Sequence, residues 1–204
     1  SQPTQNIVQK QEIDIYKQYL QSIILNYGNS LRHGNKHLYH SLPRFLTLWF
    51  NFGAFIEKEF QMNKKMTKGA RDEAEKFLKA INNTMTSFVN DLPTYQWYSA
   101  MPQLVSRICH SNKLVLDLLK TLLVKLLEVY PQQAVWALGT VLNSKMLQRK
   151  ENAHAVLDEA RKTRSKDVLN DSVDLFGLLI SICNLAVPNG AKTIDLRKNI
   201  FKKY

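Results

Sequence analysis

Three histidines, His33, His37 and His40, come at spacings that a helix would place on adjacent turns, which is how imidazole metal sites are often built. No cysteine or carboxylate joins them, and Gly34 is expected to break a helix between the first and the second. Solvated or hydrogen-bonded histidines are therefore the expectation, and no metal ligand is assigned. Cys109 and His110 pair a thiol with a base, the groups of nucleophilic catalysis. Adjacent helical residues point about 100° apart, so these two read as a buried cysteine beside a surface or interhelical histidine. Asp195 to Asn199, "DLRKN", echoes a phosphotransferase catalytic loop but lacks its histidine and spacing, and no Asp-Phe-Gly follows. Phosphoryl transfer needs a phosphate-cradling lysine, a base and metal-binding carboxylates, and no Gly-rich phosphate loop accompanies the echo. The chain is accordingly assigned no catalytic, metal-binding or cofactor-binding residue.

The elements that carry these residues belong to an ordinary folded chain: 204 residues, 45% hydrophobic and 22% charged. A chain of this length buries roughly 70% of its unfolded surface and needs no disulfide or metal staple. Cys109 and Cys183 both fall in apolar segments without a CxxC or Cys/His spacing, so they are expected to behave as small hydrophobes in a reducing compartment. The opening Ser-Gln-Pro-Thr-Gln has neither the charged nor the apolar region of a signal peptide, and the run from Leu175 to Val187 falls short of the about 20 residues a membrane helix needs. A protein neither secreted nor membrane-spanning is expected. The net charge of +11 makes an acidic partner electrostatically plausible. Basic residues gather at Lys145 to Lys150, Arg161 to Lys166, Lys192 to Lys203 and, less densely, Lys64 to Arg71, but none of these clusters alternates with aromatics as a base-stacking platform would. They read as solvated helix faces, and direct nucleic-acid contact is not expected.

Apolar residues recur at three and four rather than at two, which predicts helices throughout and no strand. Their expected extents are near 10 to 27, 42 to 60, 67 to 90, 94 to 111, 113 to 129, 131 to 146, 151 to 164, 167 to 186 and 193 to 203. Ser41, Asp91, and Ser111 or Asn112 are the expected N-caps, and Gly28, Gly34 and the segment from Pro188 to Gly190 the expected stops. About nine helices with short links must pack as antiparallel hairpins, so the predicted fold is an all-α solenoid in which each pair buries its apolar face against its neighbours. Three stretches, "SLPRFLTLW" from Ser41, "AMPQLVSRI" from Ala100 and "YPQQAVWAL" from Tyr130, repeat a proline near the start of an apolar run. Pro102 demands a kink if the helix from Tyr95 continues through it.

Leu42, Phe45, Leu46, Trp49 and Phe52 line up at helical spacing, and Gly53 among them suggests a close helix crossing. Burying each large side chain is worth roughly 1.5 to 3 kcal/mol, which favours core packing over a ligand box. Leu118, Leu122 and Leu126 form the stripe of the helix near 113 to 129, and Trp136 is placed in the core with them.

"SLPRFLTLWFNFG" (Ser41 to Gly53), "SRICHS" (Ser106 to Ser111) and "YPQQAVW" (Tyr130 to Trp136) together resemble, in order and spacing across most of residues 10 to 165, the late FAT region of the phosphatidylinositol-3-kinase-related protein kinases. Within that family the ATR type is resembled most and the TOR type less. Beyond Lys166 the resemblance fades. It implies one helical-repeat segment lying before a kinase domain that is not included, TPR-like over about 1–110 and HEAT-like over about 111–204. Such a segment curls around the kinase domain and helps fix its lobes, and Arg197, Lys198 and Lys202 are the candidate contacts to that domain. For the parent, the resemblance implies an ATP- and Mg²⁺-dependent serine/threonine kinase of the nuclear DNA damage and replication-stress checkpoint, dimeric and partnered by ATRIP, with no cofactor in this segment and no membrane. Two other classes remain open: a free-standing helical-repeat adaptor and a basic nucleic-acid-binding surface, of which the second would lose affinity steeply with salt.

Truncating Trp49 to alanine is expected to cost about 3 to 5 kcal/mol in denaturant unfolding, as a buried aromatic should; a loss below about 1 kcal/mol would contradict its burial.

Overall fold

The computed structural model describes residues 18–63 and 66–186, with Thr193, Asp195 and Arg197 beyond them. Its described residues form nine helices: α1 (described over 18–32), α2 (Leu38–Met62), α3 (Lys68–Asp91), α4 (Thr94–Ser99), α5 (Met101–Ser106), α6 (Lys113–Val129), α7 (Pro131–Leu142), α8 (Leu147–Ala160) and α9 (Lys166–Cys183). Among the described residues there is no strand, and no helix long and apolar enough to cross a membrane.

The helices stack in two rows. α3 packs on α2 and on α6, and α6 packs in turn on α8; in the other row α2 meets α4, α5 meets α7 and α7 meets α9. The hairpins α2/α3, α4–α5/α6 and α7/α8 therefore lie on one another as successive layers, the predicted solenoid.

Several element boundaries differ from expectation, each for a local reason. Gly28 lies inside α1 and does not end it; a Cβ there would stand 2.1 Å from Phe88 Cζ, so the missing side chain lets α1 approach α3. Gly34, at φ +155°, makes the turn that follows. α2 starts at Leu38 because the apolar stripe reaches back one turn beyond Leu42, and Leu38 is buried. Ser41 is thus inside the helix rather than its cap. Pro43 falls within the helix and has no N–H for the Tyr39 carbonyl. Its own carbonyl accepts from Thr47 Oγ1 at 2.7 Å and from Gln103 Nε2 at 3.1 Å.

The single helix expected over 94 to 111 is two. α4 ends at Ser99, and Met101–Ser106 starts afresh with Pro102 in its first turn, where the missing N–H costs nothing. Asp91 is the last residue of α3 and caps nothing; its carboxylate takes Ser87 Oγ at 3.1 Å and pairs with Arg32. Thr67 and Asn112 cap α3 and α6, their side chains accepting from Ala70 N and Val115 N at 3.3 Å each. α7 is shorter, and α8 begins and ends earlier, than the periodicity suggests. The expected helix over 193 to 203 and the stop from Pro188 to Gly190 lie outside the described residues, apart from three isolated positions.

The ends of helices are tied across layers by side chains that donate to terminal or post-terminal carbonyls. Gln96 Nε2 reaches Leu31 O at 3.0 Å, Lys125 Nζ reaches Val89 O at 2.7 Å, Asn152 Nδ2 reaches Ile108 O at 2.9 Å and Ser165 Oγ reaches Glu128 O at 3.3 Å. The last carbonyls of a helix have no partner within it, so each such bond satisfies an orphan group while pinning one layer to another.

Candidate functional site

The aromatic residues of α2 converge on three neighbours. Phe45 meets Phe88 of α3 edge-on at 5.7 Å and Trp97 of α4 at 6.1 Å, and Phe52 meets Phe77 of α3 edge-on at 5.5 Å. Trp49 is fully buried and stacks on Phe50 at 4.7 Å, and Phe50 in turn lies 5.8 Å from the His110 ring. Edge-on and offset rings are the favoured geometries for such pairs. Leu42, Leu46 and Gly53 are buried on the same face. Gly53 is there because the α5–α6 corner presses on it: a Cβ would stand 2.6 Å from Val115 Cγ2 and 3.0 Å from His110 Cε1.

Polar bonds complete this joint. Trp49 Nε1 donates to Asn82 Oδ1 at 3.1 Å, and Asn82 Nδ2 donates to Leu114 O at 3.2 Å, so one amide links α2, α3 and the start of α6. His110 Nε2 lies 2.8 Å from Phe50 O. A carbonyl only accepts, so these partners put the ring proton on Nε2 and leave Nδ1 to accept from Asn112 N at 3.1 Å. Asn112 caps α6 through Oδ1 and reaches Glu57 Oε2 of α2 through Nδ2 at 3.2 Å. The Glu57 carboxylate thus stands by the positive end of α6. Buried groups satisfied this completely rigidify what they connect.

Not every residue singled out by type or spacing falls where it was expected. Trp136 is not core: it is 53% exposed on α7, its ring standing edge-on to Phe176 of α9 at 5.0 Å. α7 buries Ala134, Val135, Leu138, Val141 and Leu142, a stripe that turns position 136 outward. Leu118, Leu122 and Leu126 are buried in α6. Cys109 is only half-buried and Cys183 is exposed, whereas His110 is the buried member of the Cys-His pair. Its ring points into the α2 contact, while the thiol beside it does not share the bonds to Phe50 and Asn112. His33, His37 and His40 are exposed around the turn between α1 and α2. Arg197 is exposed, with its N–H donating to Asp195 Oδ1 at 3.0 Å; Lys198 and Lys202 lie outside the described residues. The basic residues Arg161 and Lys162 pair within α8 and its end, with Asp158 at 3.1 Å and Glu159 at 2.5 Å, and Arg71 lies over the Phe60 ring.

What the arrangement supplies is a stiff contact between layers. Spacing offers Asn112, with Ser111, as a cap of α6, but could not reveal the bonds of Asn82 to Leu114, His110 to Phe50 and Asn112 to Glu57, whose partners lie 32 to 60 residues away.

Residues 80–176 match the family model described as "Serine/threonine-protein kinase ATR-like, HEAT repeats". Among curated relatives, the serine/threonine-protein kinase ATR of Oryza sativa subsp. indica is 37% identical over 141 residues, 69% of this chain. That of Drosophila melanogaster is 30% identical over 168 residues, 81% of the chain, and protein kinase rad3 of Schizosaccharomyces pombe is 25% identical over 197 residues, 86% of it. The chain spans only 5%, 6% and 8% of these three relatives' lengths.

Asn112→Ala removes a cap and the bond to Glu57 together. It is expected to lower the unfolding free energy by about 1 to 2 kcal/mol, and Asn112→Gly by less, since glycine is tolerated at N-caps. Equal stability of the alanine variant and the unaltered chain in urea unfolding would contradict the joint as described.

Proposed function

We propose that this segment, which belongs over residues 80–176 to the HEAT-repeat family of ATR-like serine/threonine-protein kinases, is a non-catalytic helical brace that packs around an adjoining kinase domain and biases its activity. The observation that carries this reading is the chain of cross-layer bonds from Gln96–Leu31 to Ser165–Glu128, with the His110 joint between them. A stack pinned at its helix ends shifts as a unit, so a displacement at one layer is felt at the next. Such a brace changes a two-state kinase only by contacting its active and inactive arrangements differently. Arg197, Lys198 and Lys202 are the proposed contacts, a basic group suited to an acidic face on the kinase domain.

In this reading the parent transfers phosphate from ATP, with Mg²⁺, to serine or threonine followed by glutamine, and those cofactors belong to its kinase domain alone. It acts in the nucleus in the DNA damage and replication-stress checkpoint, as a dimer with ATRIP. The names of the relatives support the serine/threonine kinase assignment, and the resemblance of the three motifs is what suggests the rest.

Charge reversal tests the contact. Lys198→Glu with Lys202→Glu in the intact kinase is expected to change basal or stimulated activity while leaving the unfolding of the isolated segment unchanged. Unaltered activity in both states would count against a kinase contact by these residues.

A further inference from the structure

Trp136 is joined by Tyr39, Tyr95 and Tyr98 in lining an open groove of about 750 Å³ between the start of α2, α4, α5 and α7, with Pro102 and Gln133 also on its walls. Tyr39 is 77% exposed and Tyr95 45%. Four rings held partly in water around one groove, in a stack that buries Phe45, Trp49, Phe50, Phe52, Phe88 and Trp97, are a recognition surface rather than spare core. The other two tryptophans, Trp49 and Trp97, are fully buried.

The groove's chemistry selects its occupant. No lining residue is charged. Its polar groups can all donate: the phenol hydroxyls, of which Tyr95 Oη accepts from Asn35 Nδ2 at 2.6 Å and keeps its proton to give, the Trp136 indole N–H and the Gln133 amide. An extended proline-rich strand matches this. Its rings lie flat on tyrosine and tryptophan faces, and its carbonyls, unpaired within a polyproline II helix, accept from the donors. A helix would offer them only the few unpaired carbonyls of its last turn. Within five positions of the lining residues along the chain, Lys36, Arg44 and Arg107 are exposed against one exposed acid, Glu128, while Arg32 and Asp91 pair with each other. With the net charge of +11, this favours acidic residues flanking the prolines. We infer that the groove binds a proline-rich protein segment with acidic flanks, in extended form.

Trp136 is a built-in reporter, being the exposed tryptophan among three. Titrating the 204-residue chain with the fluorescein-labelled peptide DEPPLPPLPPED is expected to shift the tryptophan emission to the blue and raise the peptide's anisotropy, both saturating at micromolar to sub-millimolar concentration. Trp136→Ala and Tyr39→Ala should each weaken the anisotropy-measured affinity at least tenfold, while Tyr19→Ala, exposed on α1 outside the groove, should leave it unchanged. A peptide with the same core and lysine flanks should bind more weakly. No saturable binding of the acidic peptide, binding that survives both groove substitutions, or equal affinity for the lysine-flanked peptide would each overturn the inference. Tyr39 buries little of itself, so its truncation tests the groove even if Trp136→Ala disturbs the packing of Phe176.

Discussion

The contact on which the layers depend is the close approach of α2 to the α5–α6 corner at Gly53. One added methyl there would collide with Val115 and crowd His110, so the site works only because the residue has no side chain. Once the backbones are that near, the His110 ring can reach the Phe50 carbonyl, and Asn112 can both cap α6 and hold Glu57. A polar side chain buried without those bonds would be destabilising. The glycine, the histidine and the asparagine therefore depend on one another, since the close approach at Gly53 brings the ring and the amide within reach of α2.

Around this joint the aromatic face of α2 acts as a hub. A helix ridge of leucines alone would bury comparable area, but rings at 5.5 to 6.1 Å from Phe77, Phe88 and Trp97 also set angles between helices. The Trp49 indole needs a partner for its N–H, and Asn82 supplies it from α3 while passing a second bond to α6. The same economy recurs at helix ends, where Gln96, Lys125, Asn152 and Ser165 satisfy carbonyls of another layer. Hydrophobic burial drives the layers together without fixing their register; these directional bonds fix it.

Much of this was legible in the sequence because it is local. The α6 stripe, the Asn112 cap and the aromatic face of α2 follow from periodicity and from short-range backbone chemistry. What failed was long-range. Gly28 reads as a stop until Phe88, 60 positions on, is known to lie against it. Trp136 reads as core by type, but the stripe of its own helix points it away, beside an open groove. Cys109 and His110 illustrate the same limit: nothing in the dipeptide tells which of the two faces α2. Pro102 was the exception, since its incompatibility with a continuous helix correctly marked a weak point, and the chain resolves it by starting a new helix at Met101.

The His110 joint couples α2 to α6 rather than merely closing a corner. Amide hydrogen exchange on a His110→Leu variant tests it most directly, because the exchange keeps bulk while removing both ring bonds. Protection is expected to fall in both the second half of α2 and the first turns of α6, at least about tenfold at each, with α8 and α9 little changed. Faster exchange confined to residues 107–112, with α2 and α6 as protected as before, would contradict it.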